Sequence, residues 1–403
     1  MKPGTGTVDE ALYRRFYPYY AEICALTELR KKPGIGVPIH SGMGGHCLLY
    51  LNGVQRDGAE RYPVLKLCEP SASPAGNGVG ISVNAHYKNA NWVAAEGHDF
   101  LWHGALEPGE RLTQAAYDRT QRRAKSIDLL EGVAFHEHLF RVKPAAMSDH
   151  DYMYEISIGT DYGARFGRDI FRARIPLDHH RMGKIVDYLN ALNAPFRAGA
   201  KIFRWRVMNN NCVHVVHNAL AAAGVWEEWP TGEFLGTAAF NFPVPKNEFV
   251  DLMLWTNDLP IADADALYKN KFVRQALLAG GRLPTVAGAL ATAEAAIQPN
   301  ELYDVERLRL IFYDNPFWGP YRFRFARIFK ERRYSDLTSN LLHFSELYAT
   351  AQVRCSETEQ QGLSARAQFQ RRYQQSIATE ALRVQQMLAA MGAPQGQLAE
   401  AAS

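Results

Sequence analysis

Five cysteines fall at positions 24, 47, 68, 212 and 355, and one of them stands where a thiol could become a nucleophile. Cys212 follows Asn209-Asn210-Asn211 and opens an apolar run, Val213 to Ala223, that stops at Gly224. An asparagine before such a run reads as an N-cap and a glycine after it as the stop, so a helix is expected with Cys212 in its first turn. Free backbone N–H groups and the helix dipole favour negative charge there, which lowers a thiol pKa and lets the same amides hold an oxyanion. Val216, Ala219 and Ala223 share the face of Cys212, and this face is expected to pack inward. Cys24, Cys47, Cys68 and Cys355 read as small hydrophobes or plain thiols. The odd count, irregular spacing and lack of a CxxC pair argue against a zinc ribbon or a disulfide framework.

A reactive thiol needs a base. His214 and His217 lie on the same helix, but at about 100° per residue they stand roughly 200° and 140° round from Cys212. Neither shares its face, so the base is expected from elsewhere in the fold. His46 is the better candidate: it opens the apolar stretch Gly45-His46-Cys47-Leu48-Leu49-Tyr50-Leu51. The approach, Ser41-Gly42-Met43-Gly44-Gly45, is small enough for another backbone or a substrate to come close. Asn84 and His86 lie on one side of the alternating stretch 80–86, and either could orient the imidazole.

A histidine opening an apolar strand, followed much later by Asn-Cys opening a helix, resembles the circularly permuted NlpC/P60 branch of the papain-like superfamily. That branch includes the lecithin:retinol acyltransferase-like proteins. Asn211-Cys212-Val213-His214-Val215-Val216 looks like their helix start, and Gly45-His46-Cys47-Leu48-Leu49-Tyr50 like their histidine strand. The strand-then-helix pattern of residues 171–193 also fits. The resemblance spans residues 37–226 and implies an α+β fold in which an antiparallel sheet packs on the cysteine-bearing helix. It also implies acyl chemistry through a thioester. Cys212 would be the nucleophile and His46 its base, with no cofactor, and with water or an amine as the acceptor.

The elements that must position these residues can be read coarsely. Residues 9–30 read as a helix from Leu12, Phe16, Tyr20 and Ile23. Short β-like stretches follow near 45–51, 64–67, 80–84, 100–102, 133–142, 152–158 and 170–175, with an inserted helix over 109–130. Asp178 reads as an N-cap, and Met182, Ile185, Val186 and Leu189 mark one helical face. Residues 262–298 and 333–391 read as helical. Tyr321 to Arg327 suits a strand or short helix with one wet face, and Asn315 to Tyr321 an aromatic turn packed over a joint. The expected division is a lead-in helix over 1–36, a catalytic domain with insertions over 37–250, a helical region over 251–392 and a disordered tail over 393–403.

Other functions are weighed against this one. His136-Glu137-His138 would set two imidazoles on one strand face, a spacing metals accept, so a metal-dependent enzyme is one rival. Asp149-His150-Asp151 and Asp178-His179-His180 are also ligand-like, although capping accounts for Asp178. A non-catalytic binding protein is the other rival. With 403 residues, 47% of them hydrophobic, the chain can bury a large core. A net charge of +3 and the lack of a dense Lys/Arg run give no case for nucleic acid. No stretch is apolar enough for a membrane span, and nothing at the N-terminus reads as a secretory signal. Free thiols suit the cytoplasm. The expected partner is a small-molecule, peptide or lipid-like acyl substrate.

Overall fold

The central strand of the molecule is one that the sequence pattern suggested would be helix. In a computed structural model, helix α1 (Glu10–Phe16) is capped by Asp9, whose carboxylate accepts the Leu12 N–H at 3.0 Å. It ends before Pro18, which has no N–H to continue the ladder. Strand β1 (Tyr19–Leu26) follows, with all eight residues buried. A strand covered on both faces loses its alternation, and its apolar residues then imitate helical spacing. The described residues are 9–37, 45–68, 78–207, 210–231, 244–306, 308–309, 311–314, 320–356 and 364–392.

Strand β2 (His46–Asn52) runs antiparallel to β1, with His46 opposite Leu26. A two-stranded ribbon follows, made of β3 (Val54–Arg56) and β4 (Leu65–Leu67). Strands β5 (Val79–Ser82), β6 (Val93–Glu96), β7 (Ile170–Leu177) and β8 (Leu290–Glu294) complete a six-stranded sheet in the order β6-β5-β2-β1-β7-β8. Every neighbouring pair is antiparallel. The chain is therefore mixed α+β around an antiparallel sheet, as expected.

Helix α2 (His98–His103) takes the place of the strand expected at 100–102, and α3 (Gln114–Ser126) lies inside the expected 109–130 helix. Residues 137–142 form a 3-10 turn, and α4 (Asp149–Ser157) replaces the strand expected at 152–158. The Ser148 side chain caps α4 by accepting the Asp151 N–H, a local signal that outweighs the short apolar run after it. Helix α5 (His179–Arg197) begins at the Asp178 cap and buries Met182, Ile185, Val186 and Leu189. Helices α6 (Cys212–Ala222) and α7 (Pro245–Asn257) follow, and the expected 250/251 division falls inside α7.

Within the expected helical run 262–298, α8 (Ala264–Lys269) and α9 (Lys271–Gly280) give way to β8, which joins the sheet beside β7. The chain turns at Gly288, with φ +105°, where a Cβ would overlap the Tyr17 ring. Helix α10 (Tyr321–Lys330) buries Tyr321, Phe325 and Ile328, while α11 (Leu337–Ser356) and α12 (Ala365–Ala390) pack together near the C-terminus. Residues 315–319 and 393–403 lie outside the described residues. Among the described residues no helix is long and apolar enough to cross a membrane.

Both faces of the sheet are covered. On one, Gly80 gives room for Leu101 of α2, and Glu22 sits opposite Arg174 across β1 and β7. Arg174 donates to Glu22 at 2.6 Å and to Glu10 of α1, and both Glu22 and Arg174 are buried. On the other face, Phe171 packs against Phe325 and Phe329 of α10, which also meet Phe249 of α7.

Candidate functional site

Cys212 opens α6 as the sequence implied. The Asn211 side-chain oxygen accepts the Val213 and His214 N–H groups at 2.9 and 3.2 Å, and its amide donates to the Val207 carbonyl. From Cys212 to Leu220 every residue is buried. Cys212 itself retains only 6% exposure. Burial pushes its thiol pKa up, against the backbone N–H groups of Cys47, Val213 and Cys212 and the charge of Lys246, which all favour the thiolate. The expected lowering is thus reversed: the cap occupies two helix-start amides, and desolvation outweighs the rest. At neutral pH the resting group is a thiol.

The Cys47 amide that faces the sulfur belongs to the residue after His46. Side chains alternate along a strand. Cys47 therefore points from β2 toward Cys212, Glu248 and Lys246, while His46 starts on the opposite face. There His46 Nε2 lies 3.0 Å from Ser82 Oγ, and Ser82 donates to Asp161 Oδ1 at 2.6 Å. Because the Ser82 proton goes to the carboxylate, its oxygen must accept from Nε2–H. That fixes the tautomer and leaves the lone pair on Nδ1. Burial lowers the His46 pKa well below the usual imidazole range, and the charges of Arg168 and Lys246, with His86, lower it further.

The orienting group is therefore a serine–aspartate pair that sequence reading did not single out. Asn84 reaches it indirectly, with its amide 3.4 Å from both Asp161 oxygens. His86 stands apart with its ring against Phe135, its pKa lowered to about 4 by burial and by His138 and His136. Asp161 is buried, and desolvation raises its pKa against the hydrogen bonds of Ser82, Tyr87, Ser157 and Asn84. No local pattern marks Asp161. It reaches the site from beyond the end of α4, where its carboxylate accepts from Ser82 at the end of β5.

A second residue missed in sequence is Lys246, in the first turn of α7. It is fully buried, and burial lowers its pKa to about 7, as does Arg168, while Cys47, Cys212 and Glu28 act in the opposite direction. Its ammonium lies so close to Gly45, at the head of β2, that a Cβ there would overlap both it and the Leu26 carbonyl. Gly45 also has φ +76°, so the glycine is required twice over. Arg168, behind this group, is buried and donates to the carbonyls of Gly159 and Thr27. The rest of the expected glycine-rich approach, Ser41 to Gly44, lies outside the described residues.

His214 and His217 point away from the sulfur, as the helical angles require. His214 Nδ1 meets Asn211 Oδ1 at 3.0 Å. The His217 ring is stacked between Trp226 and Trp229 with centroids 4.1 and 3.8 Å away. Its Nδ1 meets Glu248 Oε1 at 2.7 Å and its Nε2 the Glu227 carbonyl at 2.8 Å. Both ring nitrogens are engaged. The Glu248 contact clamps α7 to α6 two residues beyond Lys246. His136 and His138 fall at the start of the 3-10 turn rather than on a strand, with ring centroids 5.6 Å apart. His136 Nε2 is engaged by the Phe203 carbonyl. Among the described residues no group of three His, Cys, Asp or Glu side chains is placed to hold a metal ion. The chain matches no protein-family model, no curated protein and no solved structure.

Two outcomes are expected. Ser82→Ala removes the acceptor of Nε2–H, so long-range proton–nitrogen NMR should show His46 pass from one tautomer to a mixture; an unchanged spectrum contradicts the assignment. Lys246 carries a folded-state pKa of about 7 against a usual 10.5. Below about 7 the fold must hold a desolvated ammonium. That cost is relieved only as pH rises from there toward the unfolded value. Lys246→Met should therefore raise the thermal midpoint most at pH 6, by the equivalent of a few kcal/mol, and by progressively less toward pH 10. A gain independent of pH would mean that the charge is not the cause.

Proposed function

We propose that the protein performs cysteine-dependent acyl chemistry, with Cys212 attacking an amide or ester carbonyl to form a thioester. The observation that carries this reading is the sulfur at an Asn-capped helix start, on a helix that packs against the histidine strand. His46, held by Ser82 and Asp161 with its lone pair on Nδ1, is the proton-transfer partner. The Cys212 and Cys47 amides, which the cap leaves available, are the donors for the oxyanion.

Histidine on an early strand and cysteine on a later helix packed against the same sheet are in keeping with a permuted papain-like arrangement. Hydrolysis of an amide or ester is the leading reaction, and transfer to an amine is the alternative with the same first half. The substrate is a small-molecule, peptide or lipid-like acyl compound. Cys24, Cys47, Cys68 and Cys212 are all free thiols, which suits the cytoplasm.

Native-state labelling with iodoacetamide, resolved by peptide mass spectrometry, tests the nucleophile. Cys212 should label faster than Cys68, although Cys68 is the more exposed. Cys212→Ala should remove this fast phase without lowering the thermal midpoint by more than about 2 kcal/mol equivalent, the scale of a conservative core change. Labelling ordered by exposure alone would sink the reading.

A further inference from the structure

The strap that leads into α6, residues 201–207, sets exposed cations beside exposed aliphatic side chains. Lys201, Ile202, Arg204, Arg206 and Val207 are all exposed, Ile202 to 55% and Val207 to 49%. Phe203 is the anchor. It is buried, its N–H donates to the Lys88 carbonyl at 2.8 Å, and its carbonyl accepts from His136 Nε2 at 3.1 Å. The far end is closed by the pair of backbone hydrogen bonds between Arg206 and Asn210, and by Asn211, whose amide donates to the Val207 carbonyl at 2.7 Å. The strap is thus held from both ends while its cationic and aliphatic side chains face water.

The His136 contact brings a second segment alongside. The 3-10 turn 137–142 begins directly after His136 and ends in exposed Arg141 and Val142, the latter 75% exposed. Of the seven large hydrophobic side chains exposed among the described residues, three belong to these two segments, and each adjoins an exposed cation in sequence. The charge is one-sided as well. Residues 188–226 contain no aspartate or glutamate. Glu137 is taken by Lys88 and Glu60 by Arg197. Among the described residues no carboxylate pairs with Arg141, Lys201, Arg204 or Arg206.

We propose that these two segments dock the protein on the surface of an anionic lipid bilayer, with Val142, Ile202 and Val207 entering the headgroup–acyl boundary and the cations meeting lipid phosphates and carboxylates. The inference is independent of the acyl chemistry, although the Asn211 bond to Val207 sets the docking face beside the start of α6. Exposed cations alone fit any polyanion. What selects a bilayer is the aliphatic side chain beside each cation, whereas single-stranded nucleic acid is held by aromatic rings stacked on its bases. Trp205, half-buried between Arg204 and Arg206, has the amphipathic ring that settles at such an interface. The whole chain carries only +3, so the attraction comes from the patch and not from the overall field of the molecule.

The test is flotation of the full chain with vesicles of phosphatidylcholine alone, and of phosphatidylcholine with about 30 mol% phosphatidylserine, at about 0.1 M salt. Wild type should bind the mixed vesicles and leave the neutral ones. Each cation near an anionic surface contributes about fivefold in affinity, so Lys201→Ala, Arg204→Ala and Arg206→Ala together should lose roughly a hundredfold. Ile202→Ser with Val207→Ser keeps the charge and should weaken binding about tenfold or more. Arg322→Ala with Phe323→Ser, which removes an exposed cation and ring from α10, should bind as wild type. All of these side chains are exposed, so thermal midpoints should stay close to that of wild type. Failure of wild type to bind the mixed vesicles, equal binding to neutral ones, or retained binding in the triple cation variant overturns the inference. Full binding by the aliphatic variant does so too, because the patch would then be a general polyanion site, as would tighter binding to a single-stranded oligonucleotide than to vesicles.

Discussion

The packing of α6 against β2 is the point on which the rest of the site depends. It ties the first residues of β2 to the start of α6, two segments separated by more than 160 positions in the chain. The β1–β2 register, with Leu26 opposite His46, fixes where β2 begins. Gly45 then has to be a glycine, because its backbone is left-handed and Lys246 and the Leu26 carbonyl fill the space of a Cβ. One strand start thereby sets the positions of His46, the Cys47 amide and the lysine of α7 together.

Desolvation governs the chemistry of this junction. Asp161, Arg168, Lys246, His46 and Cys212 are all withdrawn from water, and burial is the leading cause of the pKa shift at each. The neutral forms of thiol and imidazole are favoured at rest, and Lys246 lies near balance. In the proposed acyl chemistry, charge would develop mainly during reaction, where preorganised amides stabilise it most. Holding such groups costs stability elsewhere, and the extensive aromatic packing of Phe171, Phe249, Phe325 and Phe329 on the same face of the sheet helps to offset it.

What the sequence made legible was local. The Asn211 cap, the Gly224 stop, the Asp178 cap and the buried face of α5 depend on neighbours within a few residues, and each is present. The angles that exclude His214 and His217 follow from helix geometry alone. The illegible parts depend on distant partners. Strand β1 has no alternation because it is buried on both faces. β8 earns its conformation by pairing with β7, across more than 100 residues. Ser82, Asp161 and Lys246 carry no motif, and only the sheet register and the packing of α7 bring them to His46 and Cys212.

The central claim, that Cys212 is the atom on which an acyl group is carried, is tested most directly by trapping. Brief incubation with p-nitrophenyl acetate, an acid quench and peptide mass spectrometry should find the acetyl group as a hydroxylamine-labile thioester on Cys212. Acetylation confined to lysine side chains, or spread over the cysteines according to their exposure, would contradict the account.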